Sequence, residues 1–138
     1  MAYWLLKSEP DVYSYADLER DGKTIWDGVN NNLALKHIRT MMPGDLALIY
    51  HTSEERRAVG IAEVISQPYA DPKLNEPKRA VVDLKAVRSL PQPVTLAQIK
   101  QDSRFEGFDL IRISRLSVVP VSTAHWQLIL ELGCSNIG

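Results

Sequence analysis

Two short apolar runs, residues 46–50 (Leu-Ala-Leu-Ile-Tyr) and 59–65 (Val-Gly-Ile-Ala-Glu-Val-Ile), stand on either side of the polar tip Thr52-Ser53-Glu54-Glu55-Arg56-Arg57. Runs of this length, joined by a polar tip, pair as a β-hairpin and commit this part of the chain to a sheet. Residues 3–7 read as a further strand, halted by Ser8-Glu9-Pro10. Residues 80–90 read as another, closed by Pro91-Gln92-Pro93, and residues 110–121 as one long strand or a pair. Helices fall between and after them. Ser14-Tyr15-Ala16-Asp17 and Thr95-Leu96-Ala97-Gln98 have the spacing of capping boxes. One of Asn30, Asn31 and Asn32 caps a helix whose apolar face is Leu33, Leu35 and Ile38, and Pro43-Gly44-Asp45 then turns the chain. Ser122 or Thr123 opens a last helix that Gly133 ends, while residues 67–77, with three prolines, are expected as an exposed loop. Strands mixed with helices in this way predict an α+β fold: a small curved β-sheet or β-barrel flanked by helices, in one domain spanning 1–138.

Charge excludes some partners. A net charge of −1 does not suit a protein that grips long nucleic acid through bulk electrostatics. The distribution is uneven, however. Residues 78–115 carry Lys78, Arg79, Lys85, Arg88, Lys100, Arg104, Arg112 and Arg115 against four acidic side chains, which predicts one positive face. No apolar stretch is long enough to span a membrane, and residues 1–6 lack a basic leader, so a cytoplasmic protein is expected. The single Cys134 has no partner for an internal disulfide. No GxGxxG, GxxxxGK[ST], GxSxG or HExxH motif occurs, and no Cys or His cluster has ligand spacing, so neither a cofactor nor a metal is implied.

Binding chemistry is better represented. Trp26 sits in Thr24-Ile25-Trp26-Asp27-Gly28-Val29-Asn30, among short polar residues at an expected turn, which is an unusual setting for a core indole. Its ring is therefore the candidate wall of a pocket for a flat guest. Lys7-Ser8 ends one strand and Tyr50-His51 another, where pockets commonly open. Gly60 interrupts an apolar strand, which costs stability unless something lies close against that backbone, and a flat ligand would do so. Ser8 and Asn30 have the groups to read a base edge, Lys7 and Arg115 the charge to face phosphates, and Tyr50 with His51 form the opposite wall or rim. A stacked base cannot reach such a pocket, so the base would be single-stranded or flipped.

Tyr3-Trp4-Leu5-Leu6-Lys7-Ser8-Glu9-Pro10, Trp26-Asp27-Gly28-Val29-Asn30-Asn31, Gly44-Asp45-Leu46-Ala47-Leu48-Ile49-Tyr50-His51, Val59-Gly60-Ile61-Ala62-Glu63-Val64 and Ser114-Arg115-Leu116-Ser117-Val118-Val119-Pro120-Val121 occur in this order over nearly the whole chain. Together they resemble the EVE domain, a member of the PUA-like superfamily that is similar to the YTH domains. The resemblance implies a non-catalytic module that binds a modified base of DNA or RNA. The residue reading and the resemblance together give a candidate site of Lys7, Ser8, Trp26, Asp27, Gly28, Val29, Asn30, Tyr50, His51, Gly60, Arg115 and Ser117. In YTH readers a Lys-Ser pair and a tryptophan help form an aromatic cage, the places of Lys7-Ser8 and Trp26 here, while the loop after Gln67 offers only Tyr69 as a second ring. Two other functions fit the PUA-like class. One is an amidohydrolase acting on modified nucleosides, for which Lys7, Ser8 and Glu63 supply the residue types, and the other is a peptide or protein interaction module. The sequence leaves the oligomeric state open.

Overall fold

The computed structural model describes residues 1–135. Strand β1 (Tyr3–Ser8) lies parallel to β3 (Leu46–His51), with Lys7 opposite Tyr50 and Ser8 opposite His51. The polar tip does turn a hairpin, so β4 (Arg57–Val64) runs antiparallel to β3. Strand β2 (Lys23–Trp26) and β6 (Ala80–Thr95) pair antiparallel, and β7 (Val118–Val121) joins the far side of β1. The order is β2-β6-β4-β3-β1-β7, with the two-residue β5 (Tyr69–Ala70) added on β6. The fold is α+β, as expected. Of the two architectures anticipated, the curved sheet is the one adopted, because β2 and β7 do not pair and the barrel stays open.

Helix α1 (Tyr15–Asp21) has the capping box of Ser14 and Asp17, and α3 (Leu96–Gln101) that of Thr95 and Gln98. Asn31 is the asparagine that caps α2 (Asn32–Thr40), accepting the Ala34 N–H at 3.0 Å. Its buried face is Ala34, Leu35 and Ile38, and Leu33 is turned outward at 39% exposure, contrary to its expected inward place. This helix packs against both β7 and β6, near opposite ends of the strand order, where it bridges the curve that strand pairing leaves open. Ser122 caps α5 (Thr123–Leu132), whose Trp126 stacks on Tyr3 with centroids 4.4 Å apart.

Three expectations are corrected. Residues 23–26 form a strand, so Trp26 ends β2 instead of lying in a turn. Residues 110–117 are not extended: α4 (Asp109–Arg112) is a helical turn closed by Arg112 N–H to Phe108 O and Ile113 N–H to Asp109 O, and only 118–121 are strand. Strand β6 continues through Pro91 and Pro93 to Thr95. Its ladder with β4 jumps from Gly60↔Ser89 to Ala58↔Val94, so the prolines occupy a bulge where no β4 partner needs their missing N–H. Among the described residues no helix is long and apolar enough to cross a membrane.

Two buried polar centres pin the strands. Asp45 accepts from Trp4 Nε1, the Ala2 N–H and the Met42 N–H, each at 3.0 Å, which locks β1 to the start of β3. Tyr15 donates its hydroxyl to Ile61 O at 2.7 Å, and its N–H donates to His51 Nε2 at 3.0 Å. The acceptor role of Nε2 leaves the ring proton on Nδ1, which donates to Glu55 at 2.9 Å. Burial pushes the Tyr15 phenol up to about 12. A group whose folded pKa is raised contributes stability that is whole below the unfolded value, near 10, and is lost as pH climbs toward 12. Urea midpoints measured between pH 9 and 12 are therefore expected to fall more steeply for the wild type than for Tyr15→Phe. Parallel curves would contradict this.

Candidate nucleobase site

The parallel pairing of β1 with β3 carries Lys7 and Ser8 to the end of the sheet, and β2 delivers Trp26 to the same end. Between them opens a hollow of about 430 Å³. Its walls include Lys7, Ser8, Trp26, Asp27, Gly28, Val29 and Ser117, seven residues of the expected set brought together from β1, β2, the turn that follows β2 and the segment before β7. Trp26 is only 8% exposed and most of its ring belongs to the core, so it contributes a wall and not a free-standing platform. Gly28 has φ +78°, the left-handed conformation glycine tolerates best, and this turns the chain along the rim of the hollow.

The sequence reading missed further wall residues. Tyr13 is the second aromatic ring at the hollow, and Thr24, Ile25 and Val12 complete its apolar and hydroxyl surface. Reading residues 23–26 as a strand exposes part of this, since Thr24 and Trp26 then share a face by period-two alternation. Tyr69 is elsewhere. It sits on β5 with its hydroxyl donating to Asp83 at 2.5 Å, and it does not line the hollow.

Five expected residues are not in these walls. Tyr50 is buried on the other side of Lys7, whose ammonium stands 6.0 Å from the Tyr50 ring centroid. His51 is occupied by Tyr15 and Glu55, a structural role. Gly60 does admit a flat ring against its backbone, but the ring is Tyr15 of the same chain: a Cβ at Gly60 would overlap the phenol carbons. Asn30 and Arg115 are exposed beside the hollow's wall segments without lining it. Glu63 lies opposite Leu46, four positions along β3 from Tyr50 and roughly 13 Å from the Lys7 level at strand spacing, and it pairs with Lys85 at 3.8 Å. Lys7, Ser8 and Glu63 are therefore not assembled as a catalytic group.

Hydrogen bonding defines what the hollow can accept. Ser8 Oγ donates to Tyr13 O at 2.5 Å, so its proton is committed and its lone pairs are left to accept. Lys7 Nζ donates to Ser114 O at 2.8 Å, and burial pulls its pKa below the ordinary lysine value. Glu9 and Asp27 add two carboxylates to the lining against the single Lys7. A neutral, flat guest with an N–H donor suits this surface better than an anion does.

The EVE domain family matches residues 2–132. The chain belongs to the EVE-domain family. A Rhodopseudomonas palustris protein solved by NMR is 42% identical and superposes with a TM-score of 0.92, covering 97% of this chain and 94% of that one. The human THYN1 protein, crystallised in complex with DNA containing 5-methylcytosine, is 26% identical with a TM-score of 0.89, over 99% of this chain and 100% of that one. Human thymocyte nuclear protein 1 is 27% identical in sequence across 95% of this EVE-domain chain and 73% of its own length.

Proposed function

We propose that this EVE-domain protein is a non-catalytic module that takes a modified nucleobase of DNA or RNA into the hollow beside Trp26. The carrying observation is the convergence of an indole, a phenol and an acceptor-only serine around a hollow of about 430 Å³ at the sheet end. A base–aromatic contact contributes roughly 1–3 kcal/mol, and Ser8 Oγ accepts from an amino or imino N–H on the base edge. The 5-methylcytosine DNA bound by the human relative supports this class of ligand. The base enters single-stranded or flipped, since a stacked base cannot reach a hollow at the end of a sheet. Asn30 and Arg115, exposed next to the wall segments, serve the flanking strand.

The test is fluorescence anisotropy with single-stranded oligonucleotides, DNA and RNA, that differ only in one cytosine 5-methyl. Burying one methyl contributes about 0.8 kcal/mol, so a preference of roughly fourfold for the modified strand is expected. Equal affinity for every pair of strands would remove the modified-base reading.

A further inference from the structure

A second hollow, of about 230 Å³, lies on the other side of Lys7 from the first, and Lys7 lines both. We infer that this hollow is a phosphodiester seat, which holds the backbone of the strand next to the base in the Trp26 hollow; the inference rests on the base-binding reading above.

The two hollows have opposite electrostatic character. The first includes Glu9 and Asp27 in its lining, whereas the second gathers Lys7, Arg56 and Lys100 with no carboxylate in its walls. Cations brought that close repel one another unless an anion sits among them. Elsewhere on the molecule four of the eight cations of residues 78–115 are spent: Arg79, Lys85, Arg104 and Arg112 are ion-paired with Glu76, Glu63, Asp102 and Asp109. Among the described residues Lys7, Arg56 and Lys100 form no ion pair. Glu54 and Glu55 stand beyond Arg56 and Lys100, but Glu55 is held by His51 and Arg57.

The donors left over suit a phosphate. Arg56 spends Nε on Ser53 O at 3.1 Å, which leaves its Nη1 and Nη2 groups for the paired donation that phosphate oxygens accept. Lys7 uses one of three ammonium protons on Ser114 O. Because Lys7 stands between the hollows, a nucleotide whose base fills the first puts its own phosphate beside this ammonium and the next one toward Arg56 and Lys100.

Salt dependence separates this seat from a diffuse field. The log of the association constant of a single strand falls with log salt by about 0.7 for each phosphate neutralised. Arg56→Gln/Lys100→Gln is expected to make that slope shallower by about 1.4, so that raising salt from about 50 to 200 mM costs the variant about sevenfold less affinity than the wild type. Both side chains are exposed, so the melting temperature stays put. Lys36→Gln/Lys78→Gln, two exposed cations outside both hollows, serves as the control and should leave the slope within about 0.3. An unchanged slope in the first variant, or an equal drop in the control, overturns the phosphate seat while leaving methyl discrimination intact. A shallower slope in a protein that shows no methyl discrimination retains the seat and removes the base reading. Failure of the wild type to bind any oligonucleotide removes both.

Discussion

Trp26→Leu is expected to weaken binding of a modified single-stranded oligonucleotide by roughly 5- to 150-fold, the equivalent of the 1–3 kcal/mol that base–aromatic contact contributes. Leucine is the informative substitution because of where the indole sits. At 8% exposure Trp26 belongs mainly to the core, and truncating such a ring to alanine costs about 3–5 kcal/mol of stability. Trp26→Ala is therefore expected to lower the urea midpoint sharply, and lost binding in that variant would report unfolding as much as a lost wall. Leucine removes the π-face but keeps a branched apolar side chain in the core, so it leaves a smaller cavity than alanine does. Trp26→Phe keeps a ring and should fall between wild type and Trp26→Leu. The measurement is anisotropy at a urea-free, matched fraction folded, checked by near-ultraviolet circular dichroism. A folded Trp26→Leu variant with wild-type affinity would show that the indole is a core residue and nothing more.

The double life of Trp26 marks the boundary of what the sequence made legible. Features that depend on a few neighbouring residues were readable: the boxes at Ser14 and Thr95, the asparagine cap of α2, the hairpin between β3 and β4, and the stop at Gly133 all appear where local chemistry put them. Lys7-Ser8 and Trp26-Asp27-Gly28, singled out from their local sequence, do line one hollow, although Trp26 reaches it from the end of a strand and not from the expected turn. What failed was non-local. The run from Leu110 to Leu116 spaces its apolar residues in a way that suits either strand or helix, and only packing and the Asp109–Arg112 pair select the helical turn. Pro91 and Pro93 read as a stop because the bulge that tolerates them is made by β4, a distant segment. Tyr13 escaped notice because its place at the hollow is set by Ser8 Oγ reaching its carbonyl and by its hydroxyl bonding Asp21 at 2.9 Å.

Gly60 is the sharpest such case, and it carries the second large prediction. A glycine within an apolar strand signals a close approach, and the approach exists, but the visitor is the Tyr15 phenol, held there by its bond to Ile61 O and by the His51 contact to its backbone. Gly60→Ala would drive a methyl into the ring. The ring cannot swing away without giving up the Ile61 bond, and its backbone is tied to the start of α1, so the overlap must be relieved by shifting β4 or the helix. Overpacking of this kind costs about 1–3 kcal/mol, with the upper end expected because both partners are fixed. Denaturant unfolding of Gly60→Ala measures it. The double-mutant cycle with Tyr15→Ala assigns the cause: once the ring is gone the added methyl enters empty space, so the alanine at 60 should become nearly neutral and the two changes strongly non-additive. Additive losses would place the strain of Gly60→Ala somewhere other than the tyrosine. They would also reopen the backbone at Gly60 as a surface for a bound guest, which the present packing assigns to the protein's own ring.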